Sequence, residues 1–160
     1  MKLQKATRCA LFAVLELARD PRRQLSATEI AALYGVSANH LSKVLRDLGR
    51  AGLVKSMRGA GGGYRFSANA KRATLFDIIN LFEETGADCV VNPEPGDSTE
   101  IGSALCLVLQ EIEAISRATL SSITIDTLLK SCQRQTAVRP VAIDHEASVN
   151  ADVAPSPQID

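Results

Sequence analysis

The stretch that decides the fold is residues 26–52, SATEIAALYGVSANHLSKVLRDLGRAG. Ser26 and Glu29 form an S-x-x-E capping box, in which each side chain binds the backbone N–H of the other residue. A helix therefore begins after Ser26, and Gly35 ends it because glycine tolerates the left-handed backbone that closes helices. Ser37 then caps a second helix. Two helices joined by a tight turn at a glycine are typical of a helix-turn-helix unit.

The second helix of this unit is amphipathic. Its apolar face consists of four residues with helical spacing: Leu41, Val44, Leu45 and Leu48. A helix of this size fits the major groove of DNA, where Asn, Lys and Arg side chains reach base edges. The candidate DNA contacts on this helix and at its start are Ser37, Ala38, Asn39, His40, Ser42, Lys43, Arg46 and Arg50.

A hairpin is predicted directly after the helix-turn-helix unit. Residues 53–58 and 64–67 have the composition of short strands, and Gly59-Ala60-Gly61-Gly62-Gly63 joins them. A tip without side chains approaches a sugar-phosphate backbone closely, so we expect this wing to bind DNA. Its candidate contacts are Lys55, Arg58, Gly61 and Arg65. A nucleotide-binding phosphate loop is excluded, because neither Lys-Ser/Thr nor a helix follows the glycines.

Helical periodicity predicts four further helices. The first spans residues 6–19 and carries the apolar stripe Leu11, Val14, Leu15 and Ala18. The second is capped by Thr74 and Asp77 and has Leu75, Ile78, Ile79 and Phe82 on one face. The other two span residues 101–119 and 123–129. The predicted fold class is α+β, mainly α with a small β wing. It comprises a winged helix-turn-helix DNA-binding domain and a long dimerisation helix.

The long helix carries apolar residues at alternating spacings of four and three. They are Ile101, Leu105, Val108, Ile112 and Ile115. Such a stripe packs either against the chain's own core or against its copy in a two-fold dimer. We favour the dimer, because two-fold homodimers dominate soluble oligomers.

Charge divides the chain into two halves. The 18 Lys/Arg and 18 Asp/Glu cancel over 160 residues, but residues 1–75 hold 14 Lys/Arg against 4 Asp/Glu and residues 76–160 hold 4 against 14. The first half is therefore expected to bind a polyanion. No apolar run approaches the ~20 residues of a membrane span, and no signal peptide is present, so we expect a cytoplasmic protein without a membrane partner. No catalytic motif surrounds His40 or His145, and we expect no enzyme activity.

Several of these residues together resemble one family of bacterial regulators. Glu29-Ile30-Ala31, residues 37–48, Ala51-Gly52-Leu53-Val54 and the wing RGAGGGY at residues 58–64 are similar to IscR/NsrR/RirA-type proteins, the Rrf2 family. The likeness covers about residues 1–130, and the wing is its specific signal. It implies a homodimeric, sequence-specific DNA-binding transcriptional regulator whose partner is double-stranded DNA at a palindromic operator. It also implies that the long helix forms the dimer.

The resemblance further implies a cysteine-containing sensor loop. In the family three cysteines hold an iron–sulphur cluster (2Fe–2S or 4Fe–4S), and Cys89 and Cys106 match the first and the last of them. The middle cysteine is missing, and Arg8 and Phe12 occupy the positions of further family ligands on the first helix. Cys9 is an additional candidate ligand. The loop offers oxygen donors instead: Asn92, Glu94, Asp97, Ser98, Thr99 and Glu100.

Three interpretations of Cys89 and Cys106 stay open. In the first, they bind a cluster that senses iron, redox state or nitric oxide, and Cys9 or a loop carboxylate completes the ligand set. In the second, they form a thiol pair that oxidises without metal. In the third, they pack as small apolar residues. A different class of function is a protein-interaction module that docks a partner enzyme. The predicted domains are residues 1–84 (DNA-binding), 85–101 (sensor loop), 102–132 (dimerisation helix and short helix) and 133–160 (disordered tail).

Overall fold

The structure, a computed structural model, describes residues 2–59, 61–83 and 92–138. Its elements in chain order are α1 (Lys5–Arg19), α2 (Ala27–Tyr34), α3 (Ala38–Arg50), β1 (Val54–Met57), β2 (Gly63–Phe66), α4 (Leu75–Ile79), α5 (Glu100–Ser122) and α6 (Ile125–Val138). The described chain is mainly helical, with one small antiparallel sheet. The predicted fold class is therefore confirmed.

The caps of α2 and α3 lie where the sequence predicts them. The Glu29 carboxylate accepts from the Ser26 N–H at 2.7 Å, and the Ser26 hydroxyl accepts from the Glu29 N–H at 3.2 Å. Gly35 ends α2 with φ 62°, in the left-handed region. The Ser37 hydroxyl accepts from the His40 N–H at 3.4 Å. These local hydrogen bonds fix the turn that orients α3.

The core forms where α3 packs against α1 and α2. The predicted stripe of α3, Leu41, Val44, Leu45 and Leu48, is buried in full. On α1 the prediction was only partly right: Val14 and Ala18 are buried, but Leu11 and Leu15 are half-buried. The main buried positions of α1 are Thr7, Cys9, Ala10, Ala13 and Leu17. The buried face of α1 is wide because this helix contacts α3, α4, α6 and β2.

The wing is anchored to the loop before α2. β1 and β2 pair antiparallel, and the backbone of Leu25 extends this pairing by exchanging hydrogen bonds of 3.0 and 2.8 Å with Tyr64. A Cβ on Gly63 would lie 2.6 Å from the Leu25 carbonyl oxygen, so only glycine fits there. The glycines that the sequence assigns to a flexible tip therefore also serve close backbone packing.

The second half of the chain is joined to the first through α4. The capping box of Thr74 and Asp77 is present as predicted. The Leu75 N–H donates to the Ile123 carbonyl oxygen at 2.9 Å, and the Arg117 guanidinium lies 5.1 Å from the centre of the Phe76 ring. These contacts fix the C-terminal end of α5 against the winged domain.

Two helix boundaries differ from the prediction. α5 begins at Glu100, one residue before the predicted start, and ends at Ser122, three residues after the predicted end. α6 ends at Val138, not at residue 129, so the predicted disordered tail is wrong for residues 133–138. Residues 139–160 lie outside the described residues. No described helix has the length and apolarity of a membrane span.

Candidate nucleic-acid interface

The face of α3 opposite its buried stripe carries exposed cations. Asn39, Lys43 and Arg46 are exposed, and neither Lys43 nor Arg46 forms an ion pair among the described residues. Arg50 lies 3.3 Å from the Asp47 carboxylate, but the Arg50 side chain is 74% exposed. Exposed pairs of this kind contribute little to stability, so Arg50 remains available to a phosphate.

The start of α3 is less accessible than the sequence suggests. Ala38 and Ser42 are half-buried, and the Ser42 hydroxyl donates to the Ala38 carbonyl oxygen at 2.8 Å. The Ser42 oxygen can therefore accept from a base but has its proton engaged. The Nε2 atom of His40 is buried and has no hydrogen-bond partner in the described structure. That end of the imidazole points away from solvent, unlike the side chain of Asn39 beside it.

The wing places two cations directly opposite each other. Lys55 pairs with Arg65 in the strand register, so both side chains project from the same face of the sheet. Like charges in this position repel and destabilise a free hairpin. A polyanion bound to this face removes that repulsion. Arg58 is exposed immediately after β1, beside the tip.

The tip itself is shaped by glycines and held from one side. Gly59 and Gly61 have φ of 114° and 79°, which other residues rarely adopt. A Cβ on Gly62 would lie 2.7 Å from the Met57 carbonyl oxygen. The Gln24 side-chain amide donates to the Gly61 carbonyl oxygen. The sequence did not indicate Gln24, because no local pattern connects it with a residue far along the chain.

α3 and the wing together carry six cations, called the cationic surface below. It comprises Lys43, Arg46, Arg50, Lys55, Arg58 and Arg65, on elements that pack against each other through α3 and β1. Asp47 is the acidic residue on the same helix, and Arg50 pairs with it. Uncompensated Lys and Arg at this density attract the phosphate backbone of nucleic acid.

The heptad stripe of α5 is exposed along its whole length. Exposure runs from 53% at Val108 to 82% at Ile101, and none of the residues of α5 is buried. Leu107 and Leu109, which the sequence did not single out, are exposed as well. The stripe is thus not covered by the chain's own core. Contiguous exposed apolar surface marks an interaction site.

The three cysteines that the structure describes differ in their surroundings. Cys9 is 2% exposed and lies in the core, a position that favours packing over ligation. Cys106 is half-buried on α5, with the Gln110 amide 3.3 Å from its sulfur, and its sulfur is disulfide-bonded. Cys132 is exposed on α6. Cys89 lies outside the described residues.

The oxygen donors of the loop before α5 are used locally. The Asp97 carboxylate accepts from the Glu94 N–H at 2.8 Å, and the Thr99 hydroxyl caps α5 by accepting from the Gly102 N–H at 3.0 Å. A Cβ on Gly102 would lie 2.1 Å from the Gly96 carbonyl oxygen, so the loop packs closely on α5. Among the described residues, no three His, Cys, Asp or Glu side chains are placed to hold a metal ion.

Glu83 connects the residues before the sensor loop with the first helix. Its carboxylate accepts from the Thr7 hydroxyl and from the Gln4 N–H, the latter at 2.8 Å. The hydrogen bond from Thr7, supported by Gln4, lowers the pKa of Glu83. Sequence patterns did not reveal this contact, because 76 residues separate Thr7 from Glu83.

Comparisons with known proteins agree with this geometry. The helix-turn-helix, wing and cationic surface define a winged-helix DNA-binding protein. The family model Rrf2, described as an iron-dependent transcriptional regulator, matches residues 3–131. The chain therefore belongs to the Rrf2 family of transcriptional regulators.

Individual relatives support the same assignment. The chain is 55% identical over 130 residues to BadM of Rhodopseudomonas palustris, which bears the name of an HTH-type transcriptional regulator; the match covers 81% of this chain and 82% of BadM. The solved structure of CymR, the global cysteine regulator of B. subtilis, matches with a TM-score of 0.66 and 28% identity, over 82% of this chain and 98% of CymR. IscR of T. potens matches with a TM-score of 0.64 and 28% identity, over 84% and 90%.

Proposed function

We propose that this regulator binds a palindromic operator as a homodimer. The observation that carries the proposal is the exposed heptad stripe of α5 on the same chain as the cationic surface of α3 and the wing. A two-fold axis through α5 brings each apolar residue against its own copy and presents two copies of α3 to one duplex. Half-sites one helical turn apart, about 34 Å, suit such a pair of recognition helices.

Within each half-site, α3 and the wing have different tasks. Asn39, Lys43 and Arg46 contact base edges in the major groove, since their exposed side chains have reach and suitable donors. Arg58 inserts into the minor groove beside the tip or holds a phosphate. Lys55 and Arg65 bind the backbone and position the protein without reading sequence.

Selection of duplexes from a random pool tests this proposal. Purified protein should enrich an inverted repeat, and sedimentation should give two chains per duplex. A scrambled duplex of equal length and composition is the control, and its binding should be weaker by a factor of at least 10³ at moderate salt. Failure to enrich any sequence, with a flat response to salt, would contradict it. The chain would then be a protein-interaction module whose basic half binds an acidic partner.

We further propose that Cys89 and Cys106 carry the signal as a thiol pair. The disulfide of Cys106 supports this. On oxidation by peroxide, the two thiols lose two protons and two electrons and form an S–S bond, while peroxide is reduced to water. The altered loop then shifts α5 relative to α5 of the second subunit, and this movement changes DNA affinity.

An iron–sulphur cluster is the competing signal, and the family description as iron-dependent favours it. Two thiolates per subunit leave such a cluster in need of further ligands from Cys9, a loop carboxylate or the partner subunit. One preparation distinguishes the two. Protein isolated without oxygen should be colourless and hold no stoichiometric iron and sulphide if the thiol pair is the sensor.

Matched variants complete this test. Cys89→Ala and Cys106→Ala should each abolish the effect of peroxide on DNA binding, whereas Cys132→Ala should not. A coloured dimer that bleaches in air, with the colour lost in the same two variants, would establish the cluster instead. Cys9→Ala then decides whether α1 supplies a ligand. If neither cysteine variant changes DNA binding under reducing or oxidising conditions, both signals are wrong.

A further inference from the structure

A cavity of about 420 Å³ lies between the start of α1 and the end of α2. Its apolar lining comes from Leu3, Cys9, Phe12, Tyr34 and Val36. The Phe12 and Tyr34 rings are stacked, with centroids 4.7 Å apart and an angle of 3° between their planes. The volume falls within the range of sites that enclose small molecules. Nothing in the proposed DNA contacts uses this cavity.

The remaining lining residues are all cations. They are Lys2, Lys5 and Arg8, each exposed and none in an ion pair among the described residues. None of the eight described residues that line the cavity is acidic. Three positive charges at the mouth of an apolar cavity, with no ion-pair partner in the described part of the chain, attract an anion and leave its uncharged part to the apolar lining.

Neighbouring acidic groups are engaged elsewhere. The Glu16 carboxylate accepts from the Tyr34 hydroxyl at 2.8 Å and lies 3.4 Å from Arg19, and it does not line the cavity. Burial, with the hydrogen bond to Glu16, raises the pKa of Tyr34 to about 12, so this side chain adds no negative charge. Glu83 binds the N–H of Gln4 and the hydroxyl of Thr7, and it also lies outside the lining.

We propose that this cavity binds a small organic anion, with its apolar body between the Phe12–Tyr34 pair and Leu3 and its carboxylate or equivalent head on Lys5 and Arg8. A DNA phosphate is the less suitable occupant, because a phosphodiester makes no use of an apolar cavity. Binding itself does not depend on the proposed DNA-binding function.

A fluorescent anion tests the site directly on the full chain without DNA. The probe is 8-anilinonaphthalene-1-sulfonate, whose fluorescence rises when its rings enter an apolar site. It should bind with one site per chain and be displaced by 3-phenylpropionate. Neither 3-phenylpropan-1-ol, which lacks the charge, nor sodium sulfate, which lacks the apolar body, should displace it at matched ionic strength.

Charge-matched variants locate the bound probe. Lys5→Gln/Arg8→Gln should weaken its binding about tenfold, since charge-assisted hydrogen bonds to its head are lost. Lys71→Gln/Arg72→Gln also removes one Lys and one Arg, from an exposed loop outside the cavity, and should leave binding unchanged. Leu3→Trp keeps every charge, fills the cavity from its rim and should abolish binding. Circular dichroism verifies that all three variants fold.

Three results would overturn the proposal. The first is equal binding by wild type and Lys5→Gln/Arg8→Gln. The second is displacement by the alcohol as strong as by the acid, which would place the probe on exposed apolar surface such as the stripe of α5. The third is displacement by an unrelated duplex together with an equal loss of duplex affinity in Lys5→Gln/Arg8→Gln, which would make these cations phosphate contacts.

Occupancy should also reach the DNA-reading helix, and this step rests on the proposed DNA-binding function. Val36 lies between Gly35, which ends α2, and Ser37, which caps α3. A ligand against Val36 therefore acts on the turn that orients α3. Saturating 3-phenylpropionate should change the affinity for the selected operator at least fivefold in wild type and not in Leu3→Trp. An unchanged affinity with intact probe binding would contradict this coupling alone.

Discussion

α3 and α5 carry similar apolar stripes, but the stripe of α3 is buried and the stripe of α5 is exposed. Leu41, Leu45 and Leu48 of α3 are 0% exposed, whereas Val108 and Ile112 of α5 are 53% and 55% exposed. The difference lies in what surrounds each helix: α3 follows a tight turn that folds it against α1 and α2, but α5 contacts its own chain mainly through α4. An apolar stripe therefore does not by itself predict whether a helix buries that face against its own chain.

The largest effect is expected from charging the stripe of α5. In Val108→Glu/Ile112→Glu each carboxylate would face its own copy across a two-fold seam, so the dimer should dissociate. Because both positions are exposed within one chain, the monomer should stay folded. Affinity for a two-half-site operator should fall by a factor of 10² or more as the second contact is lost. Sedimentation and DNA titration measure both.

The control adds the same charge elsewhere on α5. Ala114→Glu/Ala118→Glu adds two carboxylates at exposed positions of α5 outside the stripe and should remain a dimer that binds normally. A folded dimer with normal operator affinity in Val108→Glu/Ile112→Glu would show that the stripe of α5 does not form the contact between the two chains.

The next effect concerns the cationic surface beside α3. Arg58→Ala should cost about 1–3 kcal/mol of binding and relax discrimination at the bases it reads. Lys55→Ala should weaken all duplexes alike and reduce the slope of log affinity against log salt by about one. Titrations of operator and scrambled duplex at several salt concentrations separate the two. Equal losses on both duplexes for Arg58→Ala would assign it to phosphate.

A smaller effect is expected where the wing meets the core. Gly63→Ala places a Cβ 2.6 Å from the Leu25 carbonyl oxygen and should lower the free energy of unfolding by about 1–3 kcal/mol. Gly49→Ala, within α3, meets its nearest atom at an ordinary 3.8 Å and should instead stabilise by about 0.5–1 kcal/mol. Urea titrations compare them. If both variants change the free energy of unfolding in the same direction, Leu25 does not restrict the wing.

The smallest effect concerns the contact between Glu83 and α1. The pKa of Glu83 is lowered in the folded chain, so its stabilising contribution is present above the ordinary glutamate pKa and is lost as pH falls through the lower, folded value. Glu83→Gln should therefore lower the melting temperature by about 2 °C or less near pH 6, and the difference should shrink as pH falls below the ordinary glutamate pKa. Glu111→Gln, on the exposed face of α5, is the charge-matched control. A difference that stays constant from pH 6 down to acidic pH would rule out ionisation as its cause.

Local patterns made the helix-turn-helix unit predictable. Ser26, Glu29 and Ser37 act on backbone groups three residues away, so their caps require no knowledge of the rest of the chain. The α3 stripe was equally readable, because one helix face was buried against one side of the core. The face of α1 was not, since several elements surround it and the buried arc exceeds a single stripe.

Long-range features were beyond sequence patterns for a different reason. Glu83 with Thr7, Gln24 with Gly61, and the cavity beside Val36 are formed by segments that only the tertiary fold brings together. The end of α6 was missed because residues after Leu129 lack apolar periodicity, although Lys130, Gln133 and Arg134 are good helix formers. Helix propensity extends a helix where amphipathic spacing no longer marks it.

The two positive charges of Lys55 and Arg65, which lie opposite each other in the sheet, have a consequence for the evolution of the wing. In the proposed complex a bound duplex would neutralise both charges, so the duplex would act as a stabilising ligand of the native state. Selection for a sturdier free protein would remove one of these charges, and selection for DNA affinity would keep both. Under the proposed function, the free hairpin is therefore less stable than the same hairpin with one of these charges removed.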